Sequence, residues 1–144
     1  VWIGEVMARF FTTLSLNDVS AERIEGYVLI PIVARDYDPD FWSWSSAYTE
    51  LPTGQSEFRI ELNDLGVATE SRVYYVPERR EFRLCADRIY RLGPDYEGCL
   101  LQITKRSHGS YSSAVFCPGD DAYDSLQVHV RYGVRGGTKD WGYA

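Results

Sequence analysis

The sequence predicts a mainly β domain, a barrel or sandwich carrying at most one or two short helices. Three observations lead there. Short stretches rich in aromatic and β-branched residues recur along the chain, several alternate apolar with polar positions, and clusters of Gly, Pro, Asn and Asp separate them. The chain has 144 residues, 44% of them hydrophobic, which suits one domain with a substantial core. It starts at Val1 rather than at a methionine, and residues 1–144 are read as a single domain of a longer protein.

Residues 6–14 (VMARFFTTL) form the first expected strand. Residues 15–25 are a polar connection too long for a tight hairpin. The run 26–32 (GYVLIPI) is continuously apolar, as in a strand buried on both sides, and Pro31 ends it. Asp38-Pro39-Asp40 favours a turn or the start of a short helix. Phe41, Trp42 and Trp44 offer enough aromatic area to plug the end of a barrel, although such a cluster also suits a sugar or base platform. Pro52 and Gly54 mark a loop over 49–56. Residues 57–62 alternate strictly and make a strand, 63–66 (NDLG) its turn, and 67–76 the next strand. Beyond a turn at 93–98, strands are expected at 99–105 and 111–117 with a turn at 106–110 between them. After 118–121, residues 125–132 alternate again, with Leu126, Val128 and Val130 facing in and His129 out.

Charge supplies the functional lead. Net charge is −6 and the sequence pI about 4.9, which argues against a non-specific, charge-driven nucleic-acid binder. It leaves room for a specific binder whose positive charge is local. Seven of the fifteen basic residues lie between Arg79 and Arg106, and five arginines fall within 79–91 with only Glu81 and Asp87 against them. Phe82 and Leu84 alternate with Glu81, Arg83 and Cys85, so Arg83 points away from the apolar face, ahead of a turn through Ala86-Asp87-Arg88. The planar fork of arginine suits guanine edges and phosphates. The same residues also suit a solvated strand edge kept charged against aggregation.

Catalytic signatures are missing. GxSxG, HExxH, Walker and GxGxxG patterns do not occur. The nearest approach to a metal-nuclease (Glu/Gln)-x-Lys strand, Gln102-Ile103-Thr104-Lys105, has its lysine one place too far. Glu57 and Glu61 share one strand face, as solvated carboxylates do. His108 and His129 stand apart, which points away from a metal site, and no cofactor is implied. Cys85, Cys99 and Cys117 are an odd set without CxxC spacing and are read as reduced thiols of a cytoplasmic protein. No apolar run approaches the roughly 20 residues of a spanning helix, and no secretory pattern opens the chain.

Four segments taken together, 27–31, 37–42, 82–84 and 135–143 (RGGTKDWGY), resemble the B3-like DNA-binding domains of restriction endonucleases. The resemblance is to the group that joins such a domain to a phospholipase-D-like nuclease domain, and 73–93 also resembles the effector domain of another such enzyme. It runs in order over nearly the whole chain. It implies a seven-stranded open pseudobarrel with two short helices and two arms gripping the DNA major groove. By position, the N-arm is residues 17–25, with Asn17, Asp18, Ser20, Glu22 and Arg23 as candidate contacts. The C-arm is residues 79–91, with Arg79, Arg80, Arg83, Asp87, Arg88 and Arg91, joined by Lys105 and Arg106. The acidic N-arm is the less comfortable half, since carboxylates accept from cytosine amino groups but repel phosphate.

The resulting expectation is a sequence-specific double-stranded DNA-binding module, the non-catalytic target-recognition domain of a bacterial, cytoplasmic restriction endonuclease. Its partners are double-stranded DNA and a nuclease domain in the same or a partner chain, with no membrane. Asn17, Arg83 and Arg88 are the base-contact candidates; Arg79, Arg80, Arg91, Lys105 and Arg106 position the backbone. The rival from another class is a carbohydrate- or protein-binding barrel or sandwich using Trp42, Trp44 and Tyr48. A small barrel enzyme is a third reading.

Overall fold

In a computed structural model the described residues are 8–20, 26–42, 49–50, 56–130 and 140–144. Expectations placed on Glu22, Arg23, Trp44, Tyr48 and the segment 131–139 lie outside them.

Strict alternation makes the hairpin at the centre of the sheet. Strand β4 (Ser56–Asp64) buries Phe58, Ile60, Leu62 and Asp64 while Arg59, Glu61 and Asn63 face out. It pairs antiparallel with β5 (Val67–Val76) through a two-residue turn closing at Asp64↔Val67. Leu65 (φ 50°) and Gly66 (φ 98°) both adopt the left-handed conformation that such a tight hairpin requires. Asn63 Oδ1 accepts from the Gly66 amide at 2.8 Å.

The remaining strands are β1 (Arg9–Thr13), β2 (Val28–Ile30), the two-residue β3 (Thr49–Glu50), β6 (Glu81–Leu84), β7 (Leu100–Ser107), β8 (Ser110–Phe116) and β9 (Trp141–Tyr143). They form one sheet in the order β2-β6-β5-β4-β8-β7-β1-β9, with β3 added beside β4. Among the described residues the main path thus has eight strands, where seven were expected. The path ends on β9, which pairs with β1 from Phe10↔Tyr143 to Thr12↔Trp141. All neighbours are antiparallel except β4 and β8, which run parallel from Glu61↔Ser110 to Asn63↔Ser112.

The sheet curls around aromatic side chains. Trp42 is 1% exposed, and its ring meets Phe10 of β1 at 5.1 Å, Phe82 of β6 at 5.5 Å and Tyr111 of β8 at 6.2 Å. One side chain touching strands from both halves of the order requires a half-closed barrel. Its polar edge is satisfied: Trp42 Nε1 donates to the Tyr143 hydroxyl at 3.0 Å, which donates in turn to the Ala34 carbonyl. Burial pushes the Tyr143 phenol well above its ordinary value, against the hydrogen bond from Trp42, which lowers it. Phe41 and Trp42 therefore plug the barrel as expected, and Trp42 is closed to a sugar.

The helices differ from expectation. Three short ones occur among the described residues, α1 (Ile32–Tyr37), α2 (Asp87–Tyr90) and α3 (Tyr123–Gln127), with three single 3-10 turns. Pro31 precedes α1 as its N-cap, and Asp38-Pro39-Asp40 is the turn after that helix rather than the start of one. The run 26–32 yields only the short strand β2, bonded on one side to β6. Val28 and Ile30 face the core while Leu29 lies outward, so the apolar run does not mark burial on both sides.

The alternation at 125–132 is not a strand within its described part. Residues 123–127 are α3, Val128 is 50% exposed, and His129 stacks on Phe11 at 5.1 Å instead of facing solvent. The backbone here bonds within its own turns instead of to a neighbouring strand: the Leu126 amide donates to the Ala122 carbonyl and the His129 amide to the Leu126 carbonyl. The cysteine reading is corrected too: Cys99 and Cys117 form a disulfide, and Cys85 remains a thiol. Pairing of Leu100 with Phe116 sets the flanking residues opposite each other, 4.4 Å apart at Cα, within disulfide reach.

Candidate nucleic-acid interface

The open sheet leaves a seam between its two ends, β2 and the β1–β9 pair. The connection after β1 crosses this seam as the 3-10 turn Leu16–Asp18. Asp18 is 1% exposed, and its two carboxylate oxygens accept from the Ser15 amide at 2.9 Å and the Leu29 amide at 3.0 Å. One oxygen closes the turn, and the other fastens it to the outer edge of β2. Asp18, a candidate DNA contact by sequence, is thus engaged in the fold and turned away from solvent.

Behind the turn lies a cleft of about 700 Å³ whose lining includes Asn17, Tyr27, Leu29, Arg79, Glu81 and Glu97. The expected N-arm and the start of the expected C-arm therefore face one concavity. Asn17 is exposed on its lip and Ser20 half-buried beyond. Arg79 and Arg80 are exposed in the connection from β5 to β6, where Pro77–Arg79 forms a 3-10 turn and Arg80 (φ 51°) ends it.

Beside the cleft, Arg83 does point away from Phe82 and Leu84, but it is not a free tip. Only 12% of its side chain is exposed. Its Nε donates to Glu81 at 2.8 Å, with Nη2 bonding the same oxygen, and Nη1 donates to the Tyr74 hydroxyl at 3.3 Å. The guanidinium lies 4.2 Å from the centre of the Tyr27 ring. These bonds use three of the five N–H donors of the fork. Burial works to lower its pKa, yet hydrogen bonds and charge from Tyr74 and Glu81 hold it above the ordinary arginine value, so the positive charge is secure. Burial likewise raises the Tyr74 phenol, against the pull of Arg83.

The other basic candidates are brought elsewhere. Arg88 is exposed on α2 and lines a second cavity with Arg59, Arg72, Cys85 and Asp64. Its amide donates to Asp64 Oδ2 at 2.9 Å, so buried Asp64 caps α2 from the end of β4. Burial lifts the Asp64 carboxyl above its ordinary value despite that bond. Asp87 and Arg91, both exposed, pair with each other at 2.9 Å. Lys105 donates to the Asp40 carbonyl and Arg106 to Ser112 Oγ at 3.1 Å. One sequence cluster of positive charge thus becomes several separate places, because β6 and α2 carry the chain across the sheet. The charged pairs at 81/83 and 87/91 further mute it.

Sequence reasoning missed Tyr27, Tyr74 and Glu97. The signal for Tyr27 was present: with Val28 and Ile30 inward, Tyr27 and Leu29 fall on the Arg83 face. Among the described residues no group of three or more His, Cys, Asp or Glu side chains could hold a metal ion, and no helix is long and apolar enough to cross a membrane.

A curled, open β pseudobarrel with one cleft at its seam is a B3-like fold. Among solved structures the chain is similar to the B3 domain of the UbaLAI restriction endonuclease, a crystal structure with cognate DNA. The two superpose with a TM-score of 0.52 at 13% identity, covering 96% of this chain and 89% of that one. No family model and no curated protein matches the sequence.

Proposed function

We propose that this chain is a sequence-specific double-stranded DNA-binding module, the target-recognition domain of a restriction endonuclease whose nuclease domain lies in the same or a partner chain. The observation that carries the reading is the seam cleft, where the Asn17 turn and Arg79 face each other on a fold shared with a DNA-bound B3 domain. Asn17 and Arg83 are the proposed major-groove base readers, the first suited to adenine and the second to guanine. Arg79 and Arg80 position the phosphate backbone. Glu81, Tyr74 and Tyr27 hold the Arg83 fork at a set angle, so little side-chain entropy is lost on binding. Arg88, Arg91, Lys105 and Arg106 lie away from the cleft and take no part in the proposed contact.

The test begins with selection of a preferred site from random duplexes. Arg83→Ala should weaken that site about ten- to a hundredfold, the worth of one bidentate arginine–guanine pair, and leave random DNA nearly unchanged. Arg79→Ala should lower both together. Selection that enriches nothing, or equal loss on both DNAs for every variant, refutes the proposal. Thermal midpoints accompany each variant, because Arg83→Ala also strips Glu81 of its partner.

A further inference from the structure

The seam cleft carries an apolar feature that polar recognition leaves unused. Leu16 opens the turn Leu16–Asp18, lines the cleft and is 47% exposed. The other large apolar side chains exposed among the described residues, Val33, Tyr37, Val67 and Val128, do not line it. The Leu16 turn is held from both sides. Leu14 and Val19 are buried, and Asp18 bonds the amides of Ser15 and Leu29. Leu16 is therefore kept out in solvent on a fixed lip, next to Asn17, with half-buried Leu29 adding apolar surface behind it.

On the floor of the DNA major groove the apolar group available to such a side chain is a pyrimidine C5-methyl, that of thymine or of a methylated cytosine. We infer that Leu16 is a specificity-determining residue that reads a pyrimidine C5-methyl group. This rests on the DNA-binding proposal above. Asn17 and Leu16, consecutive on one rigid turn, then read polar and apolar features of neighbouring base pairs.

The experiment uses duplexes carrying the selected site. Each thymine is replaced in turn by deoxyuridine, which removes only the methyl, and each cytosine by 5-methylcytosine, which adds one. At one position the wild type should lose about fourfold in affinity on the first change or gain about fourfold on the second, the worth of one buried methyl. Leu16→Asn should bind the best duplex about fourfold more weakly and be indifferent to the methyl there, whereas Leu16→Met should keep most of the discrimination. Both variants should melt with the wild type. Discrimination that survives in Leu16→Asn, its absence from the wild type at every position, or a lowered midpoint for Leu16→Asn overturns the inference and leaves DNA binding standing. Failure to select any site overturns both.

Discussion

Asp18 separates a folding role from a DNA-contacting one. Asp18→Ala removes the acceptor for two amides, those of Ser15 and Leu29, at 2.9 and 3.0 Å. Hydrogen bonds to a charged group contribute about 1.5–3 kcal/mol each, so the pair sets a range of about 3–6 kcal/mol. Part of that loss is recovered when the turn lifts and water reaches the freed amides, which brings the expected destabilisation to about 2–4 kcal/mol. Asp18→Asn keeps one acceptor and should lie between the two. Urea unfolding with linear extrapolation measures the difference. Affinity for selected DNA should fall as well, since the turn carrying Leu16 and Asn17 loses its tether to β2. A variant within about 0.5 kcal/mol of wild type that nevertheless loses DNA would refute this assignment and return Asp18 to the interface.

Three further outcomes are expected. Trp42→Ala should destabilise by about 3–5 kcal/mol, because the ring bridges β1, β6 and β8 and its indole N–H anchors Tyr143; an unchanged thermal midpoint contradicts the core placement. Asp64 has a folded-state carboxyl raised above 3.8 by burial, so the native state takes up its proton before the unfolded chain does. Acidification from neutral pH toward that value should therefore stabilise wild type relative to Asp64→Asn, and a stability gap independent of pH excludes the reasoning. With Arg79 and Arg80 as the phosphate contacts of the cleft, log affinity against log salt should have a slope of about −2, and a slope of −4 to −5 would bring Arg91, Lys105 and Arg106 into contact as well.

Local pattern was readable wherever one segment carried its own instruction. The β4–β5 hairpin is an example: alternation assigns the faces of Phe58 to Leu62, although Glu57, expected on the solvated face with Glu61, is buried, and Asn63 with Gly66 supplies the turn. The same rule put Arg83 on the face opposite Phe82 and Leu84. A polar connection after β1 was readable in the sequence, yet the burial of Asp18 was not, because its second partner, Leu29, lies eleven residues on. The alternation at 125–132 misled for a related reason. A period of two makes a strand only where a neighbouring strand bonds it, and residues 123–129 take their backbone bonds within their own turns instead.

By itself the sequence determined the β class, the hairpins, the aromatic plug and the residues that supply positive charge. Tertiary structure alone decided which of those charges meet. It joined Asn17 to Arg79 across the seam, set Arg83 between Tyr27 and Tyr74, drew Cys99 to Cys117 and carried Arg88 to a different cavity. Faces and turns follow from neighbours along the chain, whereas a cleft is made by segments whose adjacency depends on how the whole sheet closes.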